Sequence, residues 1–243
     1  MIKEAAKILK ESKASCAFTG AGISVESNIP PFRGEGGLWT KYDPRFLEIS
    51  YYCANPEKAW PLVKEIFYDF FGSAKPNKAH CALAEMEKNN LLNSVITQNI
   101  DNLHQEAGSK VVLEYHGSSQ YMICTHCEKR FHINELEISS SIPLCKNCKA
   151  LLKPDFIFFG EPIPEDVHQK SIYEALNSDV VLVIGTTGEI VPASMIPGLA
   201  KNNGAKIIEI NPEKSEFTRT ITDIFINEKA TDAMTLLMSE LMD

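Results

Sequence analysis

The sequence predicts an α/β protein built on a doubly wound, parallel β-sheet, and three observations lead there. Strand-like segments recur at Ser15–Phe18, Asn93–Thr97, Val111–Tyr115, Asp155–Phe159, Asp179–Ile184, Lys206–Ile210 and Ile224–Ile226. Most are apolar almost throughout, as strands covered on both faces are. Helical stretches separate several of them, at Pro76–Asn89, Asp166–Leu176 and Ala193–Asn202, and such alternation gives parallel strands with crossover helices. The loops after the strands carry the unusual polar chemistry: TGAGIS, TQNID, YHGS, FFGE, GTTGE and INPE. Ligands of such sheets sit beyond the carboxyl ends of the strands, so the polar loops mark the expected site.

A chain of 243 residues, 44% hydrophobic and 23% charged, suits one large core, or one core with a small inserted module. Ile2–Ser12 places Ile2, Ala5, Ala6, Ile8 and Leu9 at helical spacing, which predicts a helix with one face on the core. Thr19–Trp39 follows the first strand and shows no helical or strand period. A loop that long inside a compact chain is functional or disordered. Its aromatic, aliphatic and cationic side chains argue against disorder, and a ligand-covering loop is expected. From Tyr42 to Gly72 the chain is rich in aromatics (Tyr42, Phe46, Tyr51, Tyr52, Trp60, Phe67, Tyr68, Phe70 and Phe71), which predicts the core of a small helical lobe. Asn55-Pro56 reads as a helix start, with Asn55 as cap. His80 reads as a packed or capping histidine, not a ligand.

The net charge of −8 and pI near 5.3 argue against broad binding to nucleic acid or an anionic membrane. No apolar run reaches membrane-spanning length, and MIKEAAKILKESK reads as an amphipathic helix, not a signal peptide. A cytoplasmic location follows as the expectation, with no long tail for targeting. The seven cysteines are then thiols or metal ligands before they are disulfides. Cys124-Thr-His-Cys127 and Cys145-Lys-Asn-Cys148 form two Cys-x-x-Cys knuckles. Paired knuckles at this interval match a closed four-thiolate zinc site, which is structural and not catalytic. His126 and His132 are spare. The segment 121–152, too small for a core of its own, should need the metal to fold.

Gly20-Ala21-Gly22 follows a strand but lacks the third spaced glycine of the dinucleotide fingerprint. Gly185-Thr186-Thr187-Gly188 follows a second strand, and the next strand ends at Asn211, near the place of a ribose-binding acid. An amide there can still bond hydroxyls. Two such turns suggest an extended dinucleotide; the alternative is that both are tight turns required only for packing. His116 stands at a strand end beside other polar loops, a candidate general base. Asn99 and Asp101 are polar groups just past a strand, alternatively caps of the helix that follows.

Taken together, TGAGIS…SNIPPFRG, TQNIDNLH, the His-Gly of YHGS, the paired knuckles, FFGE and the Gly-Thr-Thr turn resemble the sirtuins, NAD-dependent protein-lysine deacylases. The matches run in order from about Thr19 to Asn211. The resemblance implies a Rossmann-like NAD-binding domain (1–40, 76–120 and 153–243), a helical module (41–75) and a zinc-binding module (121–152). It implies that Gly20, Ala21, Gly22 and Val25 meet the cofactor near its pyrophosphate, and that Phe32 and Arg33 belong to a flexible lid at Asn28–Gly37. Gln98 and Asn99 would face the nicotinamide ribose, with Ile100 and Asp101 at the carboxamide. Gly185, Thr186, Thr187, Asn211 and Ala230 would hold the adenosine half. His116 resembles the family's general base, and Asn99 joins it in the catalytic set. An acyl-lysine peptide would lie as an added strand between a segment with Ile157, Phe159, Gly160 and Glu161 and a segment starting at Gly188 and Glu189.

The implied chemistry transfers the acyl group to ADP-ribose. The acyl oxygen attacks the ribose C1′, nicotinamide leaves, and His116 takes a ribose hydroxyl proton. Water then yields free lysine and O-acyl-ADP-ribose. A long closing loop would keep bulk water away. Three departures stand out. Gly188-Glu189 replaces an apolar pair, so Glu189 would favour basic substrates; Lys153 stands where arginine is common; Tyr68 has Phe71, not a cation, three residues on. Acetyl or longer apolar acyl groups are therefore expected over succinyl or glutaryl. Mono-ADP-ribosyl transfer, a weakly active NAD- and zinc-binding module, and a dinucleotide oxidoreductase are the competing readings. A monomer is the favoured assembly.

Overall fold

The computed structural model describes residues 1–32 and 36–242, Phe70 by its main chain alone. The chain opens with α1 (Ile2–Glu11), β1 (Ser15–Thr19) and a 3-10 helix at Ala21–Ser27. Two 3-10 turns lead to α2 (Ile49–Ala54), α3 (Pro56–Lys64), a π turn at Glu65–Phe70 and α4 (Lys78–Lys88). Then follow β2 (Ser94–Thr97), α5 (Leu103–Ala107), β3 (Val112–Glu114), β4 (Gly117–Cys124), β5 (Arg130–His132) and β6 (Leu152–Phe156). The chain continues through α6 (Glu165–Asn177), β7 (Val180–Ile184), α7 (Met195–Asn202), β8 (Lys206–Ile210), α8 (Glu216–Thr220), β9 (Ile224–Ile226) and α9 (Ala230–Met242).

Six strands form one parallel sheet in the order β3-β2-β1-β7-β8-β9. The order reverses between β1 and β7, and all five residues of each are buried. Successive side chains of a strand point to opposite faces. Ala17 and Leu182 accordingly join Leu9, Leu83, Met86 and Leu237 on one face, while Phe18 and Val183 join Ile196, Ala200 and Ile207 on the other. The first helix behaves as its spacing predicts, with Ala5, Ala6 and Leu9 buried.

One expected strand belongs elsewhere. The segment read as Asp155–Phe159 in the parallel sheet is β6, ending at Phe156, and it lies in a separate three-stranded sheet, β5-β4-β6. It pairs antiparallel to β4, Met122 opposite Pro154 and Cys124 opposite Leu152. The physical reason is local: the two cysteine knuckles bring the end of β4 against the start of β6, and a chain folded back on itself pairs antiparallel. Ile157–Phe159 run on as loop, held by Ile49 N–H to Phe159 O at 3.1 Å and Phe159 N–H to Leu47 O at 2.8 Å.

A third core joins this sheet to the aromatic helices. Phe46, Tyr52, Trp60, Phe67 and Phe71 pack with Met122, Phe131, Leu152, Phe156 and Phe158. Tyr52 Oη donates to Leu152 O at 2.9 Å and Trp60 Nε1 to Ser139 O at 3.0 Å, so the buried rings keep their polar ends satisfied. Tyr42, Tyr51 and Tyr68 lie at the edge of this core. β4 and β6 run across the expected boundaries at 120/121 and 152/153. Asn55 precedes Pro56 at the helix start, but its side chain makes no cap bond.

Candidate active site

The floor of the site is the meeting of two glycine turns. Gly20 N–H donates to Ile184 O at 3.0 Å, and Gly22 N–H to Gly185 O at 2.8 Å. A Cβ on Gly22 would stand 2.6 Å from Gly185 Cα, and one on Gly185 2.3 Å from Ile23 N. Gly185 also has φ +64°, where L side chains are strained. The packing explanation for these glycines therefore holds, and that packing is what builds the ligand floor at the β1/β7 switch. The loop beyond Gly20 is more regular than expected, because Ala21–Ser27 is a 3-10 helix burying Ile23, Ser24 and Ser27. Its three-residue turn falls outside both the helical and strand periods used to scan a sequence.

Above this floor lies a cleft of about 1000 Å³. Gly20, Ala21, Gly22, Val25, Phe32, Gln98, Asn99, Ile100, His116, Gly185, Thr186, Thr187, Asn211 and Ala230 all line it. So do Ile157, Phe159, Gly160 and Glu161. Gly188 and Glu189 do not line it themselves but lie between Thr187 and Ile190, which do. Asp101 faces a separate cavity of about 80 Å³ with Tyr68, Phe71, Glu106, Ser119 and Gln120. Arg33 lies outside the described residues.

His116 follows β3 and is half-buried, with Nδ1 3.1 Å from Gln98 O. A carbonyl accepts only, so Nδ1 carries the proton and Nε2 keeps its lone pair. Burial lowers the pKa of His116, against the opposing pull of the Gln98 carbonyl, so the ring is neutral near pH 7. Gln98 Nε2 donates to Thr186 Oγ1 at 3.0 Å, tying the loop after β2 to the loop after β7. Asn99 Nδ2 donates to Gly20 O and to Ser24 Oγ, each at 3.2 Å.

Behind Asn99 lies a buried polar bed that sequence reasoning resolved only in part. Ser24 Oγ donates to Asp101 Oδ2 at 2.7 Å and lies 3.4 Å from His80 Nε2. Asp101 Oδ1 accepts from Leu103 N–H at 3.0 Å, at the start of α5, which is the capping alternative to a cofactor contact. His80 closes a capping box with Asn77 at the start of α4, so it is both packed and capping. His104 Nε2 lies 2.9 Å from Thr19 Oγ1, and the His80 and His104 rings meet edge-on at 4.9 Å. Burial takes His80 down to about pKa 4 and His104 well below its usual value, the latter also through His80. Burial raises Asp101, against its bonds to Ser24 and Leu103. Ser24 was not singled out from the sequence; only its place two positions after Gly22 hinted at it.

The opposite wall is held by a buried ion pair. Lys153, 6% exposed, has Nζ 3.1 Å from Glu161 Oε2 and donates to the carbonyls of Pro154 and Phe156. Glu161 Oε2 also accepts from Phe158 N–H at 2.8 Å. The pair thus fixes Ile157–Glu161 against the small sheet. Phe159 stays 49% exposed, 6.4 Å from the Trp39 ring, which in turn meets Phe32 at 5.4 Å. His168, unremarked in the sequence, lines the cleft with Nδ1 2.8 Å from the hydroxyl of buried Tyr115.

Cys124, Cys127, Cys145 and Cys148 bring their sulfurs within 4.8 Å of one another. Cys124–Cys148, Cys127–Cys145 and Cys127–Cys148 sulfur separations are 3.4, 3.8 and 3.6 Å. Tetrahedral zinc thiolate geometry requires about 3.8 Å, and a disulfide about 2 Å. Burial disfavours the Cys124 thiolate, but the N–H groups of Cys127 and His126 outweigh it and bring its pKa to about 6. At Cys148 the N–H of Ala150 favours the thiolate, yet burial and the neighbouring sulfurs push it up to about 12. Four thiolates together need a divalent cation, and the set fits zinc. His126 is exposed and His132 caps a 3-10 turn, so both are spare.

The Sir2 family model matches residues 20–192. The NAD-dependent protein deacylase of Thermococcus sibiricus is 42% identical across 98% of this chain and 95% of its own length. NAD-dependent protein deacetylase 1 of Pyrobaculum aerophilum is 40% identical across 99% and 94%. A mutant Sir2 homologue in complex with ADP-ribose superposes with a TM-score of 0.95 at 38% identity, covering 100% of this chain and 97% of its own. A Sir2–p53 peptide–NAD+ complex gives 0.90 at 35%, covering 99% and 98%.

Proposed function

The chain belongs to the Sir2 family, and from that premise we propose that it removes acetyl or longer apolar acyl groups from protein lysines, consuming NAD. The observation that carries the reading is the neutral His116, its Nδ1 committed to Gln98 O and its Nε2 free in the cleft.

Each half of the cleft has a role in this reading. Main chain at Gly20–Gly22 and the side chains of Val25 and Phe32 receive the cofactor's middle; Thr186, Thr187, Asn211 and Ala230 receive its adenosine end. Gln98, Asn99 and Ile100 face the nicotinamide ribose, with Asp101 behind them acting through Ser24 and Asn99. Bound NAD supplies a ribose that accepts the acyl group as nicotinamide leaves. The protein's part is to orient and to exclude water: Phe32, Trp39 and Phe159 form an aromatic lip over the reacting end. His116 Nε2 takes the proton of a ribose hydroxyl. Ile157–Glu161 and Gly188–Glu189 flank the substrate peptide, whose main chain adds between them.

We further propose the division into a dinucleotide domain (1–40, 76–120, 153–243), a helical module (41–75) and a zinc module (121–152), the last two sharing one core. Four thiolates close the zinc coordination, so the metal is structural. A cytoplasmic monomer is part of the same proposal. Among the described residues no helix is long and apolar enough to cross a membrane.

The test is incubation with NAD and an acetyl-lysine peptide. Nicotinamide and O-acetyl-ADP-ribose in equal amounts are expected. Protein-bound ADP-ribose in their place would establish a transferase, and no nicotinamide release would reject both.

A further inference from the structure

Glu209 is the fourth residue of β8, KIIEI, between Ile208 and Ile210, and is fully buried, 0% exposed. A buried carboxylate is costly unless its lone pairs are filled. Here four side chains donate to it and none is a cation. Oε1 accepts from Asn211 Nδ2 at 3.1 Å and from Ser215 Oγ. Oε2 accepts from Thr218 Oγ1 at 2.8 Å and Thr222 Oγ1 at 2.6 Å.

Two of these donors, Asn211 and Ser215, line the cleft. The Asn211 amide donates its second hydrogen to Thr186 O at 2.9 Å, so Glu209 sets the amide plane and, through it, the turn after β7. Ser215 also caps α8 by accepting from Phe217 N–H, and the residues between Asn211 and Ser215 all line the cleft. From α8, Glu216 N–H donates to Thr187 O at 3.0 Å. Phe217 lies where a Cβ on Gly188 would meet it at 3.0 Å.

We propose that Glu209 is a positioning residue for the dinucleotide: it holds the Asn211 amide and the 212–215 loop in the geometry that receives the adenosine half. It touches no ligand itself. Its reach extends through α8 to Thr187 and Gly188, so one carboxylate sets the adenosine wall and braces the start of the substrate clasp. This rests on the NAD-binding reading above.

Glu209→Gln keeps the shape but leaves one acceptor oxygen for four donors. It should weaken ADP-ribose binding, read by calorimetry, about tenfold, and raise KM for NAD by a similar factor with kcat within twofold. Because part of the effect runs through Asn211, Glu209→Gln in an Asn211→Ala background should weaken binding by clearly less than it does in the wild type. Thr222→Val removes a donor remote from the amide; it should melt earlier yet bind ADP-ribose as the wild type does. Unchanged affinity in Glu209→Gln, additive effects with Asn211→Ala, or weakening in Thr222→Val that tracks its melting temperature would each overturn the proposal. A wild type that binds no ADP-ribose would overturn the NAD reading and this inference together; a wild type that binds isolates the role of Glu209.

Discussion

The imidazole of His116 points Nδ1 at the carbonyl oxygen of Gln98, 3.1 Å away, and so is held as the tautomer with a free Nε2. Burial lowers its pKa below the ordinary 6.5. Protonation removes the base, so kcat/KM should fall only as pH drops through a value below 6.5, and stay flat from there to pH 8. His116→Ala should cost about 10²–10⁴-fold in deacylation. A pH–rate profile with its acid limb above 7 would remove His116 from this role.

Fold stability should also depend on acid, through histidines that never touch substrate. His80 titrates at about 4 in the fold against 6.5 in the open chain, and burial also takes His104 well below its ordinary value. The unfolded chain therefore binds more protons between those values. Stability is complete above pH 6.5 and declines as pH falls toward 4, by about 3 kcal/mol for His80 alone. Urea midpoints at pH 7.5 and 5.0 check this, and His80→Gln should flatten the difference.

Metal removal should act on the shared aromatic core before it acts on the parallel sheet. Leu152 and Phe156 of β6 pack in the same cluster as Trp60. Stripping the zinc under mild denaturing conditions should red-shift tryptophan emission and open the segment between β4 and β6 to protease. An active, protease-resistant apoprotein would show that the sulfurs do not need the metal.

Gly185→Ala should be far worse than an ordinary glycine substitution. It sets an L residue at φ +64° and a Cβ 2.3 Å from Ile23 N, in rigid backbone. A loss of about 2 kcal/mol or more is expected, with NAD affinity lost beyond it because the floor must part. Thermal melts with and without ADP-ribose separate the two effects.

Acyl-group preference follows from where Tyr68 lies. Its hydroxyl bonds Met122 Sδ at 3.1 Å, and it faces the small cavity with Phe71, not the main cleft. The described cations that line the cleft, Lys214 and Lys229, stand beside Asn211 and Ala230, at the end proposed for adenosine. A succinyl-lysine peptide should therefore react at least about tenfold slower than its acetyl counterpart, since a carboxylate left unpaired in the cleft costs more than about 1.4 kcal/mol. Equal rates would contradict this.

Much of the fold was legible because apolar runs and helical periods report burial directly. Lys206–Ile210 and Ile224–Ile226 were read to the residue. The metal ligands were legible from the paired Cys-x-x-Cys spacing, and the cleft-lining loops from the polar chemistry gathered at strand ends. What stayed hidden has physical reasons. A five-residue helix such as α5 or α8 is too short to show a period. The antiparallel pairing of β6 depends on the fold-back at the cysteines, which no local pattern encodes. Glu209 sits in its strand as the one buried charge among isoleucines, and its four donors arrive from residues 211 to 222 only after that segment has curled over it.

The bonds from Gly20 to Ile184 and from Gly22 to Gly185 also bear on when the site comes into being. The first turn leaves the ribosome early, but its counterpart is far along the chain and the contact is among the most non-local in the molecule. Non-local pairing is slow and follows the closure of everything between. A nascent chain that ends before β7 therefore holds TGAGIS without the Gly185 turn against which it packs. Nucleotide cannot assist early folding; it can only trap the product once the two halves of the sheet have joined.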